Sequence, residues 1–164
     1  LVLSRPKAAA FQDVNINKII QDVSKIWETQ AILNDVTIET YNDPFIFTIQ
    51  GIENELKQVF INIVKNGIES MEGRPGNLKI ETRKLDSGEV LIRFEDKGKG
   101  IPKEQLEKMG QPFYTTKEKG TGLGLMVSFK IIESHNGKIV FSSELDKGTT
   151  VEITLPLSNS VEAV

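Results

Sequence analysis

The stretch ENELKQVFINIVKNGIESM (53–71), followed by LKIETRKL (78–85) and EVLIRFE (89–95), sets two hydrophobic periods side by side. In the first, Leu56, Val59, Phe60, Ile63, Val64, Ile68 and Met71 recur at three- and four-residue intervals, the stripe of an amphipathic helix. In the other two, apolar and polar residues alternate around Asp86-Ser87-Gly88, the pattern of a β-hairpin with one buried face. Gly73-Arg74-Pro75-Gly76 ends the helix between them. A helix with one apolar stripe beside strands with one apolar face buries both only as a helix layer on a sheet layer.

The same periods continue outward. Upstream, Ile16, Ile19, Ile20, Val23, Ile26 and Trp27 predict a helix with Asn17 as N-cap, and Val36 to Thr40 and Phe45 to Gln50 predict two strands about an Asn42-Asp43-Pro44 turn. Downstream, Pro102 opens a short helix to Met109, and Gly110 to Gly122, without apolar period, reads as a mobile loop. Leu123 to His135 predicts a helix stopped by Asn136-Gly137, and Lys138 to Leu145 and Thr149 to Leu155 predict strands about Asp146-Lys147-Gly148. Leu1 to Pro6 reads as the end of another helix, Lys7 to Gln12 as a connector, and the chain after Pro156 as a fraying tail. A first residue of Leu rather than Met reads as a piece cut from something longer. The expectation is a two-layer α/β sandwich over 13–157, a mixed, mostly antiparallel sheet with about three helices on one face, between a leading segment 1–12 and a tail 158–164.

Composition narrows the function. At 164 residues, 38% hydrophobic and 26% charged, the chain suits one ordinary globular domain without an apolar run long enough to cross a bilayer. A net charge of −3 gives no electrostatic footprint for nucleic acid or an anionic membrane, so an anionic ligand needs a local site. The absence of cysteine excludes disulfides, thiol chemistry and cysteine zinc sites, and fits the reducing cytosol.

Three short patterns point to such a site. Asn62 and Asn66 lie four apart on the 53–71 helix, with Glu69 on the same edge, and an asparagine carbonyl is a hard neutral oxygen suited to a magnesium ion already balanced by phosphates. Asp96 ends a strand before Gly98 and Gly100, which presents a carboxylate beside backbone that lets a flat base approach. That carboxylate accepts from the adenine amino group and would meet the guanine carbonyl oxygen to oxygen, so it favours adenine. Gly120-Thr121-Gly122-Leu123-Gly124-Leu125 runs into a helix, whose first N–H groups and positive dipole end suit phosphate. It is neither a Walker loop, since no GxxxxGK[ST] occurs, nor a dinucleotide fingerprint, since Val127 stands where the last small residue belongs.

The preceding Phe113-Tyr114-Thr115-Thr116-Lys117 has the make-up of a lid, with aromatic anchors, hydroxyls and an ammonium that approach phosphates on closure. Thr149, after Gly148, places a hydroxyl near the base. His135, the only histidine, sits in the last turn before Asn136-Gly137, where the negative helix end accounts for it structurally.

Taken in order, Asn62-x-x-x-Asn66, Asp96-x-Gly98-x-Gly100, Pro112 to Lys117, Gly120 to Leu125 and Gly148-Thr149 resemble the N, G1, F, G2 and G3 boxes of bacterial sensor histidine kinases, in the ATPase superfamily shared with gyrase and MutL. The resemblance spans Ile16 to Pro156, and its softer details resemble sporulation-type kinases. It implies the Bergerat ATP-binding fold, ATP or ADP and magnesium as ligands, and γ-phosphoryl transfer to a histidine on a dimerisation domain whose second helix ends at Leu1 to Pro6. Asn66 corresponds to the magnesium ligand, Asn62 to its upstream partner, and Asp96 to the adenine-reading carboxylate. Gly98, Gly100 and Ile101 correspond to the turn beneath the base, and Thr149 to the hydroxyl beside it. Gly120, Thr121, Gly122, Leu123 and Gly124 correspond to the lid hinge and phosphate contacts. Phe113, Thr115, Thr116 and Lys117 fall in the lid, with Lys65, Lys117 or Arg74 left as the cation on the γ-phosphate. The implied partners are the dimerisation domain of a homodimeric parent and a response regulator, with no nucleic acid or membrane contact, on the cytosolic side of a parent that is free or membrane-anchored.

Two positions depart from the pattern. Glu69 stands where some relatives carry lysine, and Gly67 where alanine is usual, at a cost of about 1 kcal/mol in helix stability. Asn62 occupies the place held by a catalytic glutamate in the hydrolases and serine kinases of the superfamily. An amide cannot take a proton from water or a hydroxyl, and an imidazole nucleophile does not need that base, so transfer to histidine is favoured. A slow ATPase or serine kinase and a non-catalytic nucleotide-sensing module remain the alternatives.

Overall fold

A computed structural model describes residues 10–45, 48–108 and 122–158, with backbone alone for 122–124. Strand β1 (Gln12–Asn15) ends on Asn15, whose extended backbone and side-chain oxygen cap helix α1 (Ile16–Ile26) by accepting the Lys18 N–H at 3.1 Å. The cap is therefore Asn15 rather than Asn17. The Asn17 amide instead donates to the Asp43 and Phe45 carbonyls and accepts from the Thr82 hydroxyl, fastening the helix to a turn. β1 pairs antiparallel with β3 (Thr48–Gly51) in a two-stranded ribbon. Gln12 thus belongs to a strand rather than to the connector, because four residues are too few for alternation to register. A short helix α2 (Glu28–Leu33) follows Trp27, also without a period long enough to announce it.

The main sheet runs β2-β4-β5-β7-β6, formed by β2 (Val36–Tyr41), β4 (Gly76–Lys84), β5 (Glu89–Asp96), β6 (Lys138–Glu144) and β7 (Gly148–Pro156). Among the described strands only β2 and β4 pair in parallel, and the crossover between them carries α3 (Glu53–Ser70) onto the sheet. Along β4, β5 and β7 the residues Leu78, Ile80, Val90, Ile92, Phe94, Val151, Ile153 and Leu155 are buried toward the helices. From α3, Leu56, Val59, Phe60, Val64 and Ile68 meet them, with the Phe60 and Phe94 rings 5.5 Å apart. α1 lies along one side of α3 and α5 (Gly122–Ser134) along the other. The mixed two-layer sandwich expected from the periods is the observed fold.

α4 (Lys103–Leu106) is a single turn after Pro102; the expected end at Met109 lies outside the described residues. α5 closes with Asn136 at φ 60°, the Gly137 N–H on the Ile132 carbonyl and the Asn136 N–H on the Glu133 carbonyl, a Schellman stop. The chain does not fray directly after Pro156. The Leu157 N–H bonds the Gly88 carbonyl, and buried Ser158 gives its N–H to Thr48, so the exit is stitched to two elements. The expected helix end and connector at residues 1–9 and the tail at 159–164 lie outside the described residues.

Candidate functional site

The site begins as a row across three strands. Register pairs Asp96 of β5 with Thr149 of β7, and Thr149 with Ser143 of β6. Asp96 is buried, and its Oδ1 accepts the Gly98 N–H at 2.8 Å and the Thr149 N–H at 3.2 Å. Burial pushes its carboxyl above the ordinary 3.8, against the opposing pull of the Gly98 N–H, the Ser70 hydroxyl and the Thr149 N–H. A desolvated carboxylate at the end of a strand is poised to accept from a ligand's amino group.

The backbone around that row is crowded in a way that requires glycine. Gly148 has φ 122°, and a Cβ there would stand 2.0 Å from the Asp96 carbonyl oxygen. Gly100 has φ 76°, and its Cβ would stand 2.2 Å from the Glu144 carbonyl oxygen. Gly98 is buried against Ser70. The loop 96–100 is held from outside as well: the Lys99 N–H bonds the Ser70 carbonyl at 3.0 Å, and the Lys99 carbonyl accepts the Asp146 N–H at 2.8 Å. Arg74 reaches Asp146 at 2.9 Å and the Gly98 carbonyl at 3.4 Å. Its guanidinium therefore braces this turn from the solvent side.

Above the row opens a cleft of about 1230 Å³. Asn62, Lys65, Asn66 and Glu69 line it from α3, Asp96 and Thr149 from the strands, Gly100 and Ile101 from the loop, and Leu125 from the first turn of α5. The helical spacing of the two asparagines and the strand-end position of Asp96 thus converge on one cavity. Lys65 and Asn66 are exposed and Asn62 partly so. Gly67 faces inward, where a Cβ would meet Leu78 Cδ1 at 3.0 Å, a tight contact that a few tenths of an ångström of movement in the leucine side chain would relieve. Phe113, Thr115, Thr116, Lys117, Gly120 and Thr121 lie outside the described residues. Gly122, Leu123 and Gly124 form the start of α5.

His135 is buried at the other end of α5. Its Nδ1–H donates to the Ile131 carbonyl at 2.7 Å and its Nε2 accepts the Ile52 N–H at 3.0 Å, while Phe11 stacks on the ring at 4.9 Å. It is a joint between helices, in keeping with its structural reading. Sequence reasoning missed Ser143 and Ser70. The Asp146-Lys147-Gly148 turn places residue 143 opposite residue 149, and following the register through that turn finds the serine.

Residues 51–159 match the family described as histidine kinase-, DNA gyrase B-, and HSP90-like ATPase. Sporulation kinase E of Bacillus subtilis (strain 168) is 44% identical over 162 residues, which cover 99% of this chain and 22% of that protein. Among solved structures, the nucleotide-free catalytic domain of histidine kinase ThkA superposes with a TM-score of 0.79 at 32% identity, covering 89% of this chain and 95% of that one. A structure of ThkA in complex with response regulator protein TrrA gives a TM-score of 0.76 at 29% identity, covering 90% of this chain and 42% of that one. The fold is that of a histidine kinase catalytic domain, and the chain belongs to this family of ATPases. It resembles the sporulation kinases of Bacillus within it, and spans between 22% and 37% of the length of three of them.

Proposed function

We propose that this domain binds Mg-ATP in the cleft and delivers the γ-phosphoryl group to a histidine on a partner dimerisation domain. The observation that carries the reading is the convergence of Asp96, Thr149, Asn62, Asn66 and the start of α5 on one cavity. Asp96 receives the adenine amino group at the closed end of the cleft, and the backbone N–H groups at the head of α5 receive phosphate oxygens.

The donor set suits magnesium held mainly by its nucleotide. Asn62 and Asn66 offer amide oxygens one turn apart, and among the described residues no three histidine, aspartate or glutamate side chains gather into a protein-only cage. Magnesium, when bound, neutralises charge on the triphosphate. Asn66 is the assigned ligand, and Lys65, which lines the cleft from the same helix, and Lys117 are the candidate cations. Asn62 cannot deprotonate water, so the chain positions the phosphate and leaves nucleophilicity to the acceptor imidazole.

In this reading residues 13–157, together with Gln12 at the head of β1 and buried Ser158, are the catalytic unit, and the segment before them leads in from the dimerisation helix of a homodimeric parent. A response regulator consumes the phosphoryl group, as the association of ThkA with TrrA suggests. No helix among the described residues is long and apolar enough to cross a membrane, and dependence on ATP places the domain on the cytosolic side. Labelled ATP incubated with the domain and a histidine-bearing dimerisation domain tests the reading. Acid-labile label on the added histidine domain is expected; steady hydrolysis without it would assign the chain to the hydrolases, and binding without either would make it a sensing module.

A further inference from the structure

Ser143 is partly buried on β6, and every hydrogen-bonding capacity of its hydroxyl is used. Its proton goes to the Gly148 carbonyl at 2.9 Å. One lone pair accepts the Ile101 N–H at 2.7 Å. The remaining contact is Thr149 Oγ1 at 2.9 Å; with the serine proton on the Gly148 carbonyl, Thr149 is the donor in it. The hydroxyl proton of Thr149 is therefore turned away from the cleft that Thr149 lines, and what Thr149 offers inward is a lone pair. Beside it, ionised Asp96 also offers only acceptors, with Oδ1 already holding two backbone N–H groups.

We propose that Ser143 is a specificity-determining residue: by fixing the Thr149 hydroxyl as an acceptor it makes the base end of the cleft select a 6-amino purine over a 6-oxo purine. The inference rests on the nucleotide-binding reading above and deepens it. A 6-oxo purine brings a carbonyl where the site has oxygens, and only a Thr149 hydroxyl free to rotate can answer it with a proton. Without Ser143 that rotation is open, so discrimination falls although Asp96 and Thr149 are both present.

Calorimetric titration of ATP and inosine triphosphate, which differ in the 6-amino and 6-oxo groups, tests this on the domain as it stands, on Ser143→Ala, on Thr149→Val and on the double variant. The unaltered domain is expected to prefer ATP, and Ser143→Ala to narrow the preference about fivefold, the worth of one ordinary hydrogen bond. In the Thr149→Val background Ser143→Ala should leave the ratio where Thr149→Val put it, because the hydroxyl it acts through is gone. Equal losses for both nucleotides in Ser143→Ala, or an unaltered domain that binds both alike, overturn the inference and leave the nucleotide site standing. Failure of the unaltered domain to bind either nucleotide overturns the underlying reading instead. Should Ser143→Ala unfold, Ser143→Cys reads the same ratio, because a thiol is a weak donor and acceptor at the same place.

Discussion

At the base end of the cleft, Asp96, Thr149 and Ser143 stand in one row across three strands, each joined to backbone or to the next side chain. At the end proposed for the phosphates, Asn62, Lys65 and Asn66 rise from a single helix, two of them exposed. The first end is a piece of the fold, built from the strands of the sheet themselves. The second is carried on one helix that packs against the sheet. The difference follows from the tasks: a base is chosen by fixed donors and acceptors in a dry place, whereas phosphates and their metal arrive with water.

The hardest blow to the base end is Gly148→Ala. Its Cβ would lie 2.0 Å from the Asp96 carbonyl oxygen at a φ of 122°, so β5 and β7 must separate there. A loss of roughly 2–4 kcal/mol in unfolding free energy by urea titration is expected, with nucleotide binding abolished. Wild-type stability would mean that the turn relaxes freely and that the base end is less rigid than its contacts imply.

Asp96→Asn separates binding from folding. The amide oxygen keeps the two backbone N–H groups, but the amide nitrogen meets the adenine amino group donor to donor, so ATP affinity should drop by roughly 1–3 kcal/mol, about 5- to 150-fold. Unchanged affinity in calorimetric titration would remove the pocket assignment. Thermal stability without nucleotide should hold or rise at neutral pH, because a buried charge has been removed.

Acidity sharpens the same contrast. With its pKa raised in the fold, Asp96 contributes its full stability below the ordinary 3.8 and loses that contribution as pH climbs through the native value. The stability gap between Asp96→Asn and the unaltered domain should thus be widest near neutrality and close on acidification. ATP affinity should move the opposite way, weakening as the carboxylate takes up a proton, from a higher pH than an ordinary carboxylate would give. A pH-independent gap would contradict the burial of this group.

The smallest structural effect is expected at the other end. Lys65→Ala puts a better helix former at an exposed position, and thermal unfolding should shift by less than about 0.5 kcal/mol while phosphoryl transfer falls. A large destabilisation would erase the distinction between the two ends.

The sequence made some of this legible because the relevant periods are long. The 18 residues of α3 and the paired alternation of β4 and β5 leave no other way to bury their apolar faces, and glycines after Asp96 mark where backbone packs on backbone. Short elements escaped. β1 has four residues and α2 six, too few for a repeat to rise above noise, and both form because neighbours complete them. Asn17 looked like a cap because local composition allows either asparagine; a contact with Thr82, 65 residues away, decided the matter. Ser143 escaped for a related reason, since its importance lies in register rather than in any motif of its own.

The β1–β3 ribbon has a mechanical consequence. Ser158, where the described chain leaves, donates its N–H to Thr48 and lies 3.5 Å from Asp13, so inbound and outbound strands are fastened at one corner. That corner adjoins His135 at the tail of α5, whereas the cleft sits at the head of the same 13-residue helix, about 20 Å away along its axis. A pull on either end of the described residues is therefore met first by the β1–β3 ribbon, at the pole away from the cleft, before it loads the five-stranded sheet.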